Sequence, residues 1–417
     1  MNSDVTYWSV APFAMLLTSI AIGPVVLHRF WERLCVPISL GLGAITAYEY
    51  GIGRGQAALV WHAATEWMSF IALVGSLYVI AGGIVVRVKG EATPWVNVCF
   101  LLIGSVLASV IGTTGASMVL IRPWIRMNRY RFTHFHSVFF IFLVSNIGGG
   151  LTPIGDPPLF IGFLKGVPFW WFLQHLWKPW VLVMSMLLAV FYVVDRANFL
   201  RAPAKVREEL TAEEKWKVEG GRNVPLLLLA VAAVFLPFGW REAVLVGCAG
   251  ISWGLTPKRL HETNEFHWGP VREVAVLFVG IFITVLPVME MLGRRSTEVG
   301  ELSPMTFYWL TGVCSGFLDN APTFLAFASA AFGIFGLHLE TDMPVFIQQH
   351  SSYLEAIALG AVFFGAMSYI GNGPNMMVQH VVRSQKVHCP SFLGYIVWFT
   401  LPILIPVLAL CAWVTLR

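Results

Sequence analysis

Long apolar stretches separated by short polar connections dominate the pattern of hydrophobic positions along the chain. A helix needs about 20 apolar residues to cross a bilayer, and these stretches are continuous rather than alternating, which disfavours a β-barrel. The pattern therefore predicts an all-α integral membrane protein with many helices. The apolar segments cover residues 10–28, 35–50, 67–86, 95–121, 132–163, 172–194, 223–240, 242–256, 271–292, 303–335, 353–382 and 391–416.

Composition supports the same conclusion. The 417 residues are 57% hydrophobic and only 12% charged, whereas a soluble domain carries about 25% charged residues. The expected partner of most of the surface is therefore the lipid bilayer, and the formal net charge of +4 indicates no nucleic-acid partner. The first apolar segment follows MNSD, without a basic stretch, so we expect it to be a transmembrane helix rather than a signal peptide.

The positions of the basic residues predict how the segments cross the membrane. Of the 27 Lys and Arg residues, 20 fall at junctions that share one side in a single threading, and that side is expected to be cytoplasmic. The threading requires segments 95–121 and 303–335 each to return to the face they entered from. About 27 residues at 1.5 Å each leave only about 20 Å per arm, so we predict two opposed re-entrant hairpins.

Weak similarity between the two halves predicts an internal duplication. Residues 155–158, GDPP, resemble residues 371–374, GNGP, 216 positions later, and other polar stretches follow in the same order. We predict two inverted-topology repeats, residues 1–194 and 223–417, joined by a charged cytoplasmic connector at 195–222. Inverted repeats with interrupted helices are typical of secondary transporters.

A run of glycine and proline interrupts the segment 132–163. Residues 145–160 read SNIGGGLTPIGDPPLF, and no continuous helix tolerates such a run. Non-helical backbone inside a membrane persists where protein buries it or where it lines a cavity. Carbonyl groups around Gly149, with the side chains of Asn146, Thr152 and Asp156, would form a hard oxygen site suited to Na⁺. A proline-rich loop at the membrane surface is the alternative.

Three further polar stretches interrupt apolar segments: GNGPN at 371–375, LDNAPT at 318–323 and GTTGAS at 112–117. An intramembrane carboxylate is costly unless it is paired, protonated or ion-bound, so the acidic residue of LDNAPT is a functional candidate. The alternative for GNGPN is a plain kink, and the alternative for LDNAPT is a structural ion pair. For GTTGAS it is close packing of small residues. The candidate ligands in these stretches are Asn372, Asn375, Asp319, Asn320, Thr323, Thr113 and Thr114.

Other chemistry is sparse in the sequence. His62 and Glu66 lie four positions apart on one helical face, formally like a metal-binding pair, but their place at a segment start favours an interfacial pair. The six Cys residues are far apart, which is typical of plain buried positions. No nucleophile elbow, P-loop or HExxH motif occurs, so we expect neither enzyme activity nor a cofactor.

With these motifs the sequence resembles the ion transporter superfamily, which includes divalent-anion/sodium symporters, citrate–metal carriers, arsenite exporters and NhaD-type sodium/proton antiporters. SNIGGGLTPIGDPP and LDNAPT are similar to the NhaD-type pattern. The resemblance implies a scaffold domain, a transport domain with two opposed hairpins and two unwound helices, and a homodimer. In the dicarboxylate branch each hairpin tip reads Ser-Asn-Thr. Here the tips read TTG at 113–115 and DNA at 319–321, which weakens a dicarboxylate interpretation.

The sequence thus predicts a multi-pass transporter of the inner (plasma) membrane that exchanges Na⁺ or Li⁺ for H⁺ by alternating access. Asp156 and Asp319 are the predicted proton-coupling groups, because a carboxylate that binds either a proton or a cation couples the two fluxes. A sodium-coupled citrate or dicarboxylate symporter is the first alternative, followed by an arsenite exporter; an integral-membrane enzyme is the alternative from another class. The predicted Na⁺ ligands are Asn146, Asp156, Asp319, Asn320 and Asn372.

Overall fold

Helices make up nearly all of the regular structure. The computed structural model describes residues 7–26, 28–87, 92–201, 217–295, 302–385, 387 and 389–416. The elements of the first half are α1 (Tyr7–Val26), α2 (His28–Tyr48), a π-helical turn (Glu49–Gly53), α3 (Ala57–Gly82), β1 (Val85–Arg87), α4 (Pro94–Ile111), α5 (Thr113–Met127), α6 (His134–Leu143), a 3₁₀ turn (Ile147–Leu151), α7 (Pro157–Leu164) and α8 (Phe169–Arg201).

The second half begins with the strand β2 (Lys217–Glu219), which pairs antiparallel with β1. Its helices are α9 (Asn223–Ala233), α10 (Trp240–Leu255), α11 (Lys258–Thr263), α12 (Gly269–Thr284), α13 (Leu286–Arg295), α14 (Pro304–Phe317), α15 (Asn320–Ile334), α16 (Met343–Phe364), a 3₁₀ turn (Gly365–Met367), α17 (Gly373–Ser384), α18 (Phe392–Tyr395), a π-helical stretch (Ile396–Leu404) and α19 (Ile405–Thr415).

Six helical segments among the described residues are long and apolar enough to cross a bilayer. They support an all-α membrane protein that crosses the bilayer several times. The six segments are Ala57–Gly82, Pro94–Ile111, His134–Leu151, Phe169–Arg201, Gly269–Leu292 and Phe392–Thr415.

Both segments predicted to be hairpins are broken into two helices. Gly112 separates α4 from α5 with φ 81°, a left-handed conformation that glycine adopts without strain. Leu318 and Asp319 are extended and separate α14 from α15. α4 is longer than expected, because its 18 residues reach about 27 Å. The length argument for re-entry therefore does not hold for α4, and the opposed re-entrant arrangement stays a prediction.

Two helices are interrupted where the sequence predicted. The chain leaves helical conformation between α6 and α7 and again between α16 and α17. At the first break, a Cβ atom on Gly155 would overlap the carbonyl oxygen of Gly149. At the second, a Cβ atom on Gly371 would lie 2.6 Å from the carbonyl oxygen of Gly365. The same glycine–glycine contact thus recurs 216 positions later.

The packing of the two halves is reciprocal. α2 packs on α12 while α10, its counterpart in helix order, packs on α3. Likewise α5 packs on α17, and α15 packs on α7. Each half therefore completes the other, as expected for two repeats related by a pseudo-two-fold axis.

The connector differs from its prediction. α8 continues past residue 194 to Arg201 because Asp195 is fully buried in a polar network rather than exposed in a connector. Residues 217–219 form β2 and residues 220–222 lead into α9, whereas residues 202–216 of the predicted connector lie outside the described residues. The strand pair β1–β2 thus holds the connection between the halves against the end of α3.

Candidate ion-binding site

Asp156 lies at the N-terminal end of α7 and contacts residues of both halves. Its backbone is extended, with φ −145° and ψ 145°, and two proline residues follow it at the start of the helix. Because proline has no N–H, neither of these residues can donate a backbone hydrogen bond to the carboxylate. The side chain is nevertheless 98% buried, so its partners must come from other elements.

Three uncharged side chains from three separate breaks donate to this carboxylate. Thr113 Oγ1 donates to Oδ1 over 2.9 Å, and Asn372 Nδ2 donates to the same oxygen over 2.9 Å. Asn320 Nδ2 donates to Oδ2 over 2.5 Å. All three donors are buried. The structure therefore brings together four predicted site residues that are up to 259 positions apart in sequence.

A second buried amide pair lies beside this cluster. Asn146 Nδ2 donates to Asn375 Oδ1 over 2.7 Å, and Asn375 Nδ2 donates to the carbonyl oxygens of Gly365 and Ser368. Asn372 Nδ2 also lies 3.2 Å from the carbonyl oxygen of Ser145. The two interrupted helices are thus joined across their breaks by side-chain amides.

Two oxygen atoms in this region have no donor among the described residues: Asn146 Oδ1 and Asn320 Oδ1. An unpaired buried acceptor costs about 1–3 kcal/mol, and such an atom requires a water, an ion or a functional explanation. Asn320 presents this free oxygen while its amide nitrogen binds Asp156. Neutral amide oxygens beside a carboxylate form a donor set that fits a small hard cation.

The remaining predicted ligands have local roles. Asp319 is only half-buried, and its Oδ1 accepts the N–H of Ala321 at 3.1 Å, which caps the N-terminus of α15. Thr323 Oγ1 donates to the carbonyl of Asp319 at 2.9 Å. Thr152 donates to the carbonyl of Ser109. Gly149 is placed by its close contact with the second glycine of the break, residue 155. Among the described residues, no hydrogen bond joins Asp319 to the Asp156 cluster.

A small cavity lies against the carboxylate on the side of α3. It has room of about 30 Å³ for water-sized molecules, which suffices for a water or a small ion. Its polar wall includes Thr114, predicted as a ligand from its motif, and its apolar wall comes largely from α3. The lining includes Phe70, Leu73, Val74, Leu77, Thr113, Thr114, Asp156 and Phe160.

Comparison with known protein families covers the whole site. Residues 2–416 match the model of a family described as "Putative citrate transport". The chain belongs to this citrate-transport family. The match includes both halves and all four interrupted segments, so the site lies within the region that defines the family. It identifies the chain as a member of a transporter family without specifying the exchange of Na⁺ for H⁺.

Relatives of this citrate-transport family member occur in mycobacteria. A 46 kDa membrane protein of Mycobacterium leprae is 28% identical over 256 residues, which are 58% of each protein. An uncharacterized transporter of Mycobacterium tuberculosis is 26% identical over 321 residues, or 71% of each protein. The chain thus aligns with little more than half the length of the first relative. These names agree with a membrane transporter.

Sequence reasoning missed two charged groups that the fold assembles. Lys165 Nζ lies 2.8 Å from Glu66 and 2.6 Å from Glu340, although these residues are 99 and 175 positions away. Asp195 binds Arg131 and lies 3.1 Å from His136 Nε2, with all three side chains buried. The only sequence signal was the spacing of His62 and Glu66, which do contact each other at 3.4 Å.

Proposed function

We propose that this chain is a secondary active transporter that exchanges Na⁺ or Li⁺ for H⁺, and that Asp156 is the group that binds the cation and the proton in turn. The observation that carries the proposal is a buried carboxylate whose hydrogen-bond donors among the described residues are all uncharged. Beside it lies the amide oxygen of Asn320, which has no donor among those residues. Such a carboxylate accepts a cation or a proton, and each excludes the other.

Transport requires that the site face the two sides of the membrane alternately. Interrupted helices near the middle of a membrane, arranged in inverted repeats, are the usual basis of alternating access. We propose that the pairs α4–α5 and α14–α15 are the two opposed re-entrant hairpins, and that Asp319, at the start of α15, contributes to proton coupling. The proposal places the protein in the inner (plasma) membrane as a homodimer, which chemical cross-linking in membranes would test.

Cation-coupled uptake of citrate is the second candidate, and the family description favours it. The hydroxyl and amide donors of the site could bind carboxylate groups. An ionised Asp156 would, however, repel a polyanion unless a bound cation lay between them. Citrate transport therefore also depends on cation binding at Asp156, but it predicts a different transported substrate.

Reconstituted proteoliposomes distinguish the two candidates. With an acidic interior and an entrapped pH dye, external Na⁺ should dequench the dye in the absence of citrate if the protein is an antiporter. Asp156→Asn should remove this signal, whereas Glu262→Gln, a matched change of an exposed carboxylate, should retain it.

Uptake of labelled citrate is measured in parallel in the same vesicles. Na⁺-dependent citrate uptake without any proton movement by Na⁺ alone would replace the antiport proposal with citrate symport. Absence of both signals in folded, correctly inserted protein would contradict both functions.

A further inference from the structure

One cluster of charged side chains joins three elements in the N-terminal half of α3. Lys165, which follows α7, binds Glu66 of α3 and Glu340, which follows α15, at 2.8 and 2.6 Å. His62 of α3 lies 3.4 and 3.5 Å from the same two carboxylates. We call these four residues the Lys165 cluster. The lysine and Glu66 are more than 90% buried, so the contact is well shielded from water.

A second cluster lies at the C-terminal end of the same helix. Arg122 of α5 donates to Glu265 over 3.1 Å, and Gln385, which follows α17, donates to the other oxygen of Glu265 over 3.3 Å. We call these three residues the Arg122 cluster. Asn264, the neighbour of Glu265, donates to the carbonyl oxygen of Gly82 at 2.8 Å. This contact places the Arg122 cluster at the C-terminal end of α3.

The candidate site lies between the two clusters. Glu66 and Gly82 are sixteen residues apart on α3, which corresponds to about 24 Å along the helix axis. Leu73, Val74 and Leu77, which line the cavity beside Asp156, fall midway between them. The two clusters therefore lie on opposite sides of the cavity along a single long helix.

The two clusters are counterparts in the reciprocal arrangement of the halves. In the Lys165 cluster, α3 of the first half is joined to the end of α7 and to the segment after α15. In the Arg122 cluster, the segment before α12 of the second half is joined to α5 and to the end of α17. α7 and α17 both begin at the site, with Asp156 and Asn372 at their N-terminal ends. Each cluster thus holds one short helix that carries a site residue.

We propose that the Lys165 cluster and the Arg122 cluster are the two gates of the transport cycle. This inference rests on the proposed function as a transporter but not on the identity of its substrate. The Lys165 gate holds the end of α7 and the segment after α15 against α3. The Arg122 gate holds α5 and the end of α17 against the segment before α12. Opening of one gate while the other stays closed exposes the Asp156 cavity to one face only. The contacts of both gates are formed in the structure.

Cysteine accessibility tests the gates without any transported ion. Val74→Cys, in a background without the six native cysteines, reports access to the cavity. Membrane-impermeant maleimide is applied to vesicles of each orientation. Lys165→Met should raise the labelling rate at least fivefold from the face of the Lys165 cluster. Arg122→Met should raise it at least fivefold from the opposite face. Lys178→Met, a change of an exposed lysine, should change neither rate.

Two double variants distinguish opening of the Lys165 gate from misfolding of the protein. Glu66→Gln with Lys165→Met leaves no unpaired charge between these two positions and should label as fast as Lys165→Met alone. Glu66→Lys with Lys165→Glu restores an ion pair and should slow labelling again. Labelling within twofold of the parent from both faces, in folded Lys165→Met and Arg122→Met proteins, would overturn the proposal. Because no ion is transported in this assay, its failure is distinct from failure of Na⁺/H⁺ exchange.

Discussion

At the scale of single residues, the proposed exchange requires a site that accommodates both the ionised and the protonated form of Asp156, and Asn320 is placed to do so. Its amide nitrogen now donates to Oδ2, while its oxygen has no donor among the described residues. Rotation of the amide group by 180° would present the oxygen to a protonated carboxyl group, since an amide offers donors on one side and acceptors on the other. Thr113 and Asn372 donate to the opposite oxygen and need not move.

Substitution of Asp156 should separate charge from hydrogen bonding. Asp156→Asn should bind Na⁺ without pH dependence, because no titrating group remains in the cluster. Asn372→Ala removes one donor and should weaken Na⁺ affinity about tenfold, corresponding to about 1.4 kcal/mol, while retaining the pH dependence. Isothermal titration with Na⁺ across a pH series measures both. An unchanged pH slope in Asp156→Asn would place the coupling proton elsewhere.

Asp319 caps α15, and this role can be separated from the proton coupling proposed for it. Asparagine also caps helix N-termini well, whereas alanine does not. Asp319→Asn should therefore have the same stability as the parent protein but lose Na⁺-driven proton movement. Asp319→Ala should additionally lose about 1 kcal/mol of stability in detergent. Normal exchange by Asp319→Asn in proteoliposomes would remove Asp319 from the coupling mechanism and leave only its cap.

Many residues of the site could be predicted from the sequence, but not which of their side chains contact each other. Asp156 and Asn372 were found because glycine and proline interrupt apolar segments around them. The sequence could not show that Asp319 points to its own helix terminus while its neighbour Asn320 reaches Asp156, since one position along a helix start reverses which side chain faces the site.

At the scale of elements, the two glycine contacts set the geometry of the interrupted helices. A methyl group at residue 155 or 371 would meet the backbone of the same break, and overpacking against backbone costs about 1–3 kcal/mol or more. Gly155→Ala and Gly371→Ala should therefore both lose Na⁺ binding and stability. Gly373→Ala should change little, because no atom lies within 4 Å of its added carbon. Equal behaviour of all three variants in thermal unfolding would contradict this account.

The buried pair of Asp195 and Arg131 should be a major source of stability. The carboxylate also accepts from Asn97 of α4 at 2.9 Å and lies beside His136 of α6, so it joins three helices. Asp195→Asn would leave the arginine charge uncompensated, which costs about 3–5 kcal/mol. Glu262→Gln, at an exposed position, should stay within about 0.5 kcal/mol. Unfolding in mixed detergent–SDS micelles measures both. A small effect of Asp195→Asn would show that the carbonyl oxygen of Ala92 and the hydroxyl of Tyr130, which also accept from Arg131, suffice to stabilise its charge.

The ends of helices could be predicted where residues in the same segment determine them. The breaks at 145–160 and 371–375 follow from glycine and proline, and the structure places them there. The end of α8 and the strand pair β1–β2 were not predicted, because charged residues after 194 looked like a solvated connector. Only the tertiary partners of Asp195 show that this one position near the helix end is buried.

At the scale of the whole molecule, reciprocal contacts show how the two halves fit, but two arrangements remain compatible with them. A pseudo-two-fold axis in the membrane plane gives inverted repeats, and an axis along the membrane normal gives parallel repeats. The count of basic residues favours the inverted arrangement, and so does the 24 Å separation of the Lys165 and Arg122 clusters along α3. Reciprocity of the gates requires that α5 and α15 end on opposite faces.

Labelling at the ends of these two helices decides between the arrangements. Arg126 near the end of α5 and Thr341 after α15 are both exposed, and they follow the breaks at Gly112 and Asp319 in corresponding places. Single cysteines at these positions, in a background without native cysteines, should react with impermeant maleimide from opposite faces, with Arg126→Cys reached from the cytoplasm. Reaction of both from one face would establish parallel repeats. It would also place both clusters at the same membrane surface, and α3 would then have to lie far from the membrane normal.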